Sequence, residues 1–469
     1  MNKIFTFLFL LPYTFLLSQN YGNNWCFGNG LRIDFNDCSP QVLNSSNSGT
    51  EGCSAISNSE GQLLFYTNSN YVWDNSDNVM PNGSLGGNLG THSQVIIIPK
   101  PFTSNTYFII TTQRQDLPSN RKLQYHEVDM TLNGGLGDVV LKNVELYSNN
   151  TTEQVAATYH NNGSDLWVVT HEYGSNKYLA FLVTSAGIST VPVVSTIGSS
   201  HIPCWSNSNA RGNIKFSPDG SKIVFNANGE NGFDDSNILE ILDFDNSTGM
   251  ISNPIKLPFY GNEYGLTFSP DNNILYCTTW VTGSVTPADS NFLYQFDISS
   301  NDSTLIADSR TLLHGGYCLD NQFGTMNIGP DGKIYVAKHD HEYLGVINAP
   351  NTSGTACEYI DTGLYLNGAT SNFGLNNTIE YQNYCSTLYI QNNSSIANLQ
   401  ISPNPTSSVI RVEYDKTIDG VTIYTLNGEV CFSNQGSIDT VDISLLQSGV
   451  YIILIDTNQG QYRERLIKM

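Results

Sequence analysis

Ile214-Lys-Phe-Ser-Pro-Asp-Gly-Ser-Lys-Ile-Val-Phe-Asn226 sets two short apolar runs around Ser217-Pro218-Asp219-Gly220. Proline pre-sets φ at the second turn position, aspartate tolerates the bend, and glycine takes a positive φ without steric cost. The stretch therefore predicts a tight β-hairpin. It returns twice, as Leu266-Thr-Phe-Ser-Pro-Asp-Asn-Asn-Ile-Leu-Tyr-Cys277 and as Met326-Asn-Ile-Gly-Pro-Asp-Gly-Lys-Ile-Tyr-Val-Ala337. The turn residues Asp219, Asp271 and Asp331 stand 52 and then 60 residues apart.

Three earlier hairpins follow the same plan. Thr50–Ser57 and Gln62–Thr67 flank Asn58-Ser-Glu-Gly61, Val95–Pro99 and Tyr107–Thr112 flank Pro101–Thr106, and Val155–Tyr159 and Leu166–Thr170 flank His160-Asn-Asn-Gly163. One central turn residue per unit (Gly61, Asn105, Gly163, Gly220, Asn272, Gly332) gives six units at intervals of 44 to 60 residues. Repeats of about this length, rich in short strands, are the signature of propeller blades. The strand Trp25–Phe35, combined with late strands near Leu344–Ile347 and Glu358–Ile360, supplies a seventh. The reading is an all-β propeller over residues 19–382, with seven blades favoured and six or eight left open. No amphipathic helix longer than two turns is expected.

Charged residues are only 13% of the chain, while Asn, Ser, Gly and Tyr are abundant, a mix that favours turns and strands. The formal net charge of −22 argues against nucleic acid as a partner, because phosphate backbones require clustered Lys and Arg. It also opposes adsorption to anionic membrane surfaces. Its plainest role is solubility and mutual repulsion.

Met1-Asn-Lys3, the apolar run Ile4–Leu17 and the small residue Ser18 read as a signal peptide over residues 1–18, with cleavage between Ser18 and Gln19. The run is short for a membrane span, and no transmembrane segment is expected in the mature chain. Nine cysteines without a Cys-x-x-Cys carry no zinc or haem signal. Export permits disulfides, and Cys26, Cys38 and Cys53 are close enough in sequence to include a pair. Cys277, inside an apolar run, reads as a buried small hydrophobe.

Residues 383–397 turn polar and unpatterned, which predicts a linker. From residue 398 to 469 short strands alternate with turn signals, among them Asn427-Gly428, Ser448-Gly449 and Asn458–Gly460. About seven short strands of this kind fit a small β-sandwich.

This tail resembles the type A C-terminal sorting domain of the type IX (Por) secretion system of Bacteroidota. The matching residues are Ser402-Pro403-Asn404-Pro405, Val421–Tyr424 with Gly428, Ile443–Leu446, Ser448-Gly449-Val-Tyr451 and Leu466-Ile467-Lys468. The resemblance implies export to the periplasm, passage across the outer membrane directed by the tail, and the type IX machinery as a partner. The larger region resembles propeller-like cargo proteins of the same bacteria, through Trp25-Cys-Phe-Gly28, Glu51-Gly-Cys53, Leu63–Thr67, Val72-Trp73, Met80-Pro-Asn-Gly83 and Trp167–Glu172. Asn68-Ser69 stands where such proteins often carry Asp-Gly. The Pro-Asp-Gly hairpins are similar to those of TolB-type propellers. No assigned activity comes with these resemblances.

Catalytic motifs are few. The chain has no Gly-x-Ser-x-Gly elbow, no His-Glu-x-x-His and no phosphate-binding glycine loop, and no cofactor is expected. Asp243-Phe-Asp-Asn-Ser-Thr-Gly249 lacks the ligand spacing of a calcium loop and reads as a strand end with an Asx turn. Two clusters are candidate ligand-binding residues. His339-Asp-His341-Glu follows a strand, and alternation puts His339 and His341 on one side, where a transition metal or a ligand could be held; an ordinary polar loop is the plainer reading. In Trp167-Val-Val-Thr-His171-Glu172 alternation puts Trp167, Val169 and His171 on one face, with Glu172 on the other. There the plainer reading is Trp167 in an apolar core, with His171 and Glu172 satisfied by hydrogen bonds. The functional expectation is a binding module for a glycan, peptide or surface partner. The alternative is a polysaccharide-acting hydrolase or lyase using carboxylates at the propeller mouth.

Overall fold

The computed structural model describes residues 20–86, 95–113, 122–201, 210–227, 237–258, 263–279, 290–317, 322–380, 384, 400–414, 417–425, 430–436, 439–457 and 460–468. The expected signal peptide with its Ser18–Gln19 cleavage point lies outside them, as does the linker 383–397 apart from residue 384. The chain divides into two compact units, Met1–Cys385 and Ser386–Met469.

The Pro-Asp hairpins form as their chemistry requires. The Gly220 amide donates to the Ser217 carbonyl at 2.8 Å, the Ser217 hydroxyl donates to Asp219, and the Asp219 carboxylate accepts from the Ser221 amide. Gly220, Asn272 and Gly332 occupy the same turn position at φ 69°, 66° and 77°, and Gly61 and Gly163 share the left-handed region. Asn105 does not: that turn places Phe102 at φ 60° instead.

These hairpins open a succession of antiparallel sheets in unit 1. Sheet 1 holds Asn24–Phe27, Asn29–Asp34 and Gln41–Ser48. Sheet 2 holds Ser54–Ser57, Leu63–Thr67, Tyr71–Asp74 and Val79–Ser84; sheet 3 holds Val95–Pro99, Thr106–Thr111, Leu123–Asp129 and Asp138–Tyr147. Sheet 4 pairs Ala156–Tyr159, Leu166–His171 and Lys177–Thr184, with Gly187–Ile188 and Val193–Thr196 both on its last edge. Sheet 5 holds Ile214–Phe216, Lys222–Ala227, Ile238–Asp245 and Met250–Lys256. Sheet 6 holds Glu263–Phe268, Ile274–Thr279, Ser290–Asp297 and Thr311–Tyr317, and sheet 7 holds Phe323–Ile328, Ile334–Lys338, Tyr343–Ile347 and Tyr359–Tyr365. One short α-helix, Ser303–Asp308, is present among the described residues, started by Asp302 capping the amides of Thr304 and Leu305.

Burial falls across each sheet. First strands such as Ser54–Ser57, Ile214–Phe216 and Glu263–Phe268 are wholly buried, whereas last strands such as Met250–Lys256 and Tyr359–Tyr365 are mostly exposed. Because side chains alternate, each sheet offers two apolar faces, and each face shares a cluster with a neighbouring sheet. Val168 and Phe181 pack on sheet 3, while Trp167 and Val169 pack on Ile214 and Phe225 of sheet 5. Sheet 7 packs back on sheet 1: Trp25 and Phe35 meet the Tyr335 ring edge-on at 5.6 and 5.5 Å.

Three sequence expectations are corrected here. Trp25–Phe35 is not one strand, because Gly28 at φ 56° turns it into a hairpin. Nor do Leu344–Ile347 and Glu358–Ile360 join it; both belong to sheet 7, and sheet 1 is completed by Gln41–Ser48. Cys26 and Cys53 are buried free thiols, so no disulfide forms among Cys26, Cys38 and Cys53; Cys38 is bonded to a partner outside the described residues. Cys277 is free and buried.

Unit 2 has two antiparallel sheets. Gln400–Ser402, Val409–Glu413 and Thr440–Asp442 form one, and the other runs in the order Val430–Gln435, Ile418–Thr425, Gly449–Thr457, Gly460–Lys468. Both feed one core, including Ile410 and Val441 from the first sheet and Val421, Ile453 and Leu466 from the second.

Candidate functional site

The first strands of sheets 5, 6 and 7 each set one polar residue, Lys215, Thr267 or Asn327, between apolar neighbours, and two of these, Lys215 and Asn327, meet. Lys215 lies between Ile214 and Phe216 and is almost wholly buried. Its ammonium donates to Asn327 Oδ1 at 2.5 Å and to Glu380 Oε1 at 3.2 Å. Burial pushes the Glu380 carboxyl above the usual range, and the Lys215 charge pulls it back. Around the starts of these strands stand Glu51, Gln154, Arg211, Asn213 and Tyr264 from the leads into sheets 2, 4, 5 and 6. The Tyr264 hydroxyl donates to Glu51 Oε1 at 2.8 Å. Burial, then the Glu51 charge, raise its phenol well above the ordinary value, with Glu153 adding to the effect and Arg211 opposing it.

Several of these groups have spare hydrogen-bonding capacity. Gln154 gives its amide NH2 to the Asn226 carbonyl at 2.9 Å, but its Oε1 has no partner. Both side-chain polar atoms of Asn213 and the Arg211 Nε are likewise unpaired in the protein. A buried polar atom left this way costs about 1–3 kcal/mol unless water or a ligand meets it. Glu51, Asn213, Lys215, Tyr264, Asn327 and Asn377 also line a recess with about 30 Å³ open to the centres of water molecules. As it stands the recess admits water rather than a sugar ring.

The residues singled out in the sequence lie elsewhere. His171, at the end of the second strand of sheet 4, is fully buried. Its ring stacks on His201 at 3.9 Å and meets Tyr178 edge-on at 4.5 Å. Burial pushes its pKa down to about 3. A hydrogen bond with the Glu172 backbone opposes that fall, and aromatic rings surround the imidazole. Glu172 does find partners, accepting from Tyr147, from Lys177 at 3.0 Å and from Asn149 at 3.2 Å. Burial alone would raise its carboxyl, but those bonds outweigh burial and hold it low. His339 and His341 lie half-buried at the turn ending the second strand of sheet 7, with His339 stacked on Phe373 at 4.2 Å. No contact joins this pair to His171 or Glu172 among the described residues, and no cluster of three metal-ligating side chains is found there.

In unit 2 the marked tail residues converge. Asn404, between Pro403 and Pro405, accepts the Ile467 amide at 2.9 Å, and Thr406 bridges Lys468 in parallel register. Gly449 faces Lys468 across the antiparallel ladder. Residues 400–469 match the family of secretion system C-terminal sorting domains. That match supports a cargo of the type IX secretion system, one that meets its machinery and crosses the outer membrane to the cell surface or the extracellular space. No helix among the described residues is long and apolar enough to cross a membrane.

No curated protein matches the chain. Solved structures with some likeness include the hydrazine synthase of Kuenenia stuttgartiensis, 13% identical over 62% of this chain and 72% of that one, with a TM-score of 0.37. A functionally unknown protein of Desulfotomaculum acetoxidans is 12% identical over 81% and 94%, with a TM-score of 0.35. PorZ, a surface component of the type-IX secretion system of Porphyromonas gingivalis, is 10% identical over 96% and 74%, with a TM-score of 0.32. Scores this low carry no argument about activity.

Proposed function

We propose that unit 1 is a closed seven-bladed propeller, exported as type IX cargo, that binds a glycan, peptide or surface partner at the end where its first strands begin. The chain of inter-sheet apolar clusters, returning from sheet 7 to sheet 1, supports the closed ring. The observation that carries the binding role is the gathering of Gln154, Arg211 and Asn213 with unspent donors and acceptors, from different sheets, at one end. Amide and guanidinium groups of this kind recognise hydroxyl-rich or amide-rich ligands. The recess is too small for the ligand itself, so contact falls on its rim; half-buried His339, stacked on Phe373, and His341 are separate candidates.

The test is a glycan-array and peptide-array screen of the secreted protein, with calcium and with chelator, repeated on Arg211→Ala and Asn213→Ala. Defined binding that both variants weaken supports the reading; binding that neither changes places the ligand elsewhere. One observation favours an enzyme as the second reading: the Glu51 carboxylate accepts the Tyr264 hydroxyl at 2.8 Å, and both line the recess. Release of reducing ends from a polysaccharide, abolished in Glu51→Gln, would favour a hydrolase or lyase.

A further inference from the structure

After its last strand the chain does not leave sheet 7 for the surface. Residues 371–380 are extended, almost entirely buried and in no sheet. They cross the first strands of several sheets and bond to each. The Phe373 carbonyl accepts the Thr325 amide of sheet 7 at 2.7 Å, and the Gly374 amide donates to the Thr50 carbonyl leading into sheet 2. The Asn377 amide donates to the Cys53 carbonyl at 2.7 Å, and the Asn377 carbonyl accepts the Ser54 hydroxyl at 2.7 Å. The Asn377 side chain reaches the Val155 carbonyl at the start of sheet 4 at 3.1 Å. Glu380 then ends on Lys215 of sheet 5.

Steric fit points the same way. A Cβ at Gly374 would stand 1.7 Å from the Glu51 carbonyl oxygen, and one at Gly324 would stand 2.0 Å from that of Phe373. Only glycine allows backbones to approach this closely. Sheet 1, which this segment adjoins through Asn372 and Asn29, has three strands where the sheets after it have four or more.

We infer that the first strands of sheets 2, 4, 5 and 7 form a binding groove for an extended peptide, and that its occupant is this chain's own segment 371–380. The segment is a strap that ties non-adjacent sheets together through backbone bonds, two asparagines and one buried ion pair. Main-chain bonds with a few side-chain anchors are how sheet edges capture extended peptides in trans. The exposed turn at Asn367 and Gly368 just before the strap gives it a hinge. The strap ends at Glu380, ahead of the sorting-domain match that starts at residue 400, so the whole strap lies outside that match. This inference does not depend on what the outer rim binds.

The experiment uses the full chain with a specific protease site inserted between Asn367 and Gly368. It is cut under reducing conditions, because Cys38 is disulfide-bonded. The two pieces should stay together on size exclusion and separate in denaturant. Excess synthetic peptide of sequence 371–380 should displace the carboxy-terminal piece, and Gly374→Ala should speed its release at least tenfold. Pieces that part on cutting overturn the groove. In uncut protein, hydrogen exchange gives a second readout: the amides of Gly374 and Asn377 should be protected like those of the first strands. Exchange at the rate of an open chain would also overturn the proposal. A swapped dimer after cutting and recombination would support the groove with a second copy as donor.

Discussion

Replacing His171 by phenylalanine should remove most of one acid-sensitive contribution to the stability of unit 1. The imidazole is fully buried against His201, Tyr178 and Phe225, and desolvation outweighs a hydrogen bond with the Glu172 backbone. Its pKa is pushed down to about 3, whereas in the unfolded chain it returns to about 6.5. The folded value is the lower one, so the unfolded state binds more protons below pH 6.5. Stability from this group is therefore complete above pH 6.5 and is lost as the pH falls from there toward 3. At pH 5 the loss is roughly 2 kcal/mol, from the ratio of the two titration curves. Tryptophan fluorescence isolates unit 1, since all five tryptophans precede residue 386. Urea melts of the full chain at pH 8 and pH 5 should differ by about 2 kcal/mol less in His171→Phe than in the parent. His171→Gln, which titrates nowhere in this range but cannot stack, should show the same reduced difference even if it is weaker at both pH values. Parental pH dependence in both variants would refute the account of His171.

His126 supports a parallel expectation: its Nδ1 accepts the Asn143 amide, burial holds its pKa near 4, and His126→Gln should also flatten the acid limb in the same melts. Trp25→Ala removes a wholly buried ring from the cluster joining sheets 1 and 7 and should cost about 3–5 kcal/mol in urea melts; a cost near zero would mean that this contact does not hold the sheets together. Glu380→Gln leaves Lys215 buried without its counter-charge and should cost roughly 3–5 kcal/mol, while Lys215→Met with Glu380→Leu should recover most of it. Asn404→Ala removes the acceptor for the Ile467 amide and should destabilise unit 2 by about 1 kcal/mol, lowering the exported fraction in a cell-fractionation assay. Unchanged export would separate sorting from the seating of the last strand.

The repeating hairpins were legible because each is a local event. Proline, aspartate and a left-handed residue decide the turn within four positions, and the alternation that puts Trp167 and Val169 on one face holds, since both pack in one cluster with sheet 5. The division of strands at the chain ends was not legible. Gly28 sits within an apolar run and shows its role only once its backbone turns, and the tail's tie to the sheets rests on contacts more than 300 residues apart in sequence.

The polar first-strand positions had a signal that motif reading passed over. Ile214-Lys215-Phe216, Leu266-Thr267-Phe268 and Met326-Asn327-Ile328 align on their following turns, and each sets one polar residue at the same place. A strand buried on both faces normally carries none, so a polar residue recurring there implies neighbouring polar groups that answer it. For Lys215 and Asn327 the answer comes from residues 371–380, a stretch with no periodicity of its own. The alignment thus marks a seat, while the identity of what fills it is carried by Gly374, Asn376, Asn377 and Glu380 only in combination. If the seat is what the repeat preserves, Lys215→Met alone should loosen the strap, exposing the Gly374 and Asn377 amides to exchange while sheets 3 and 4 stay protected. Uniform loss of protection across unit 1 would instead make Lys215 a general core residue.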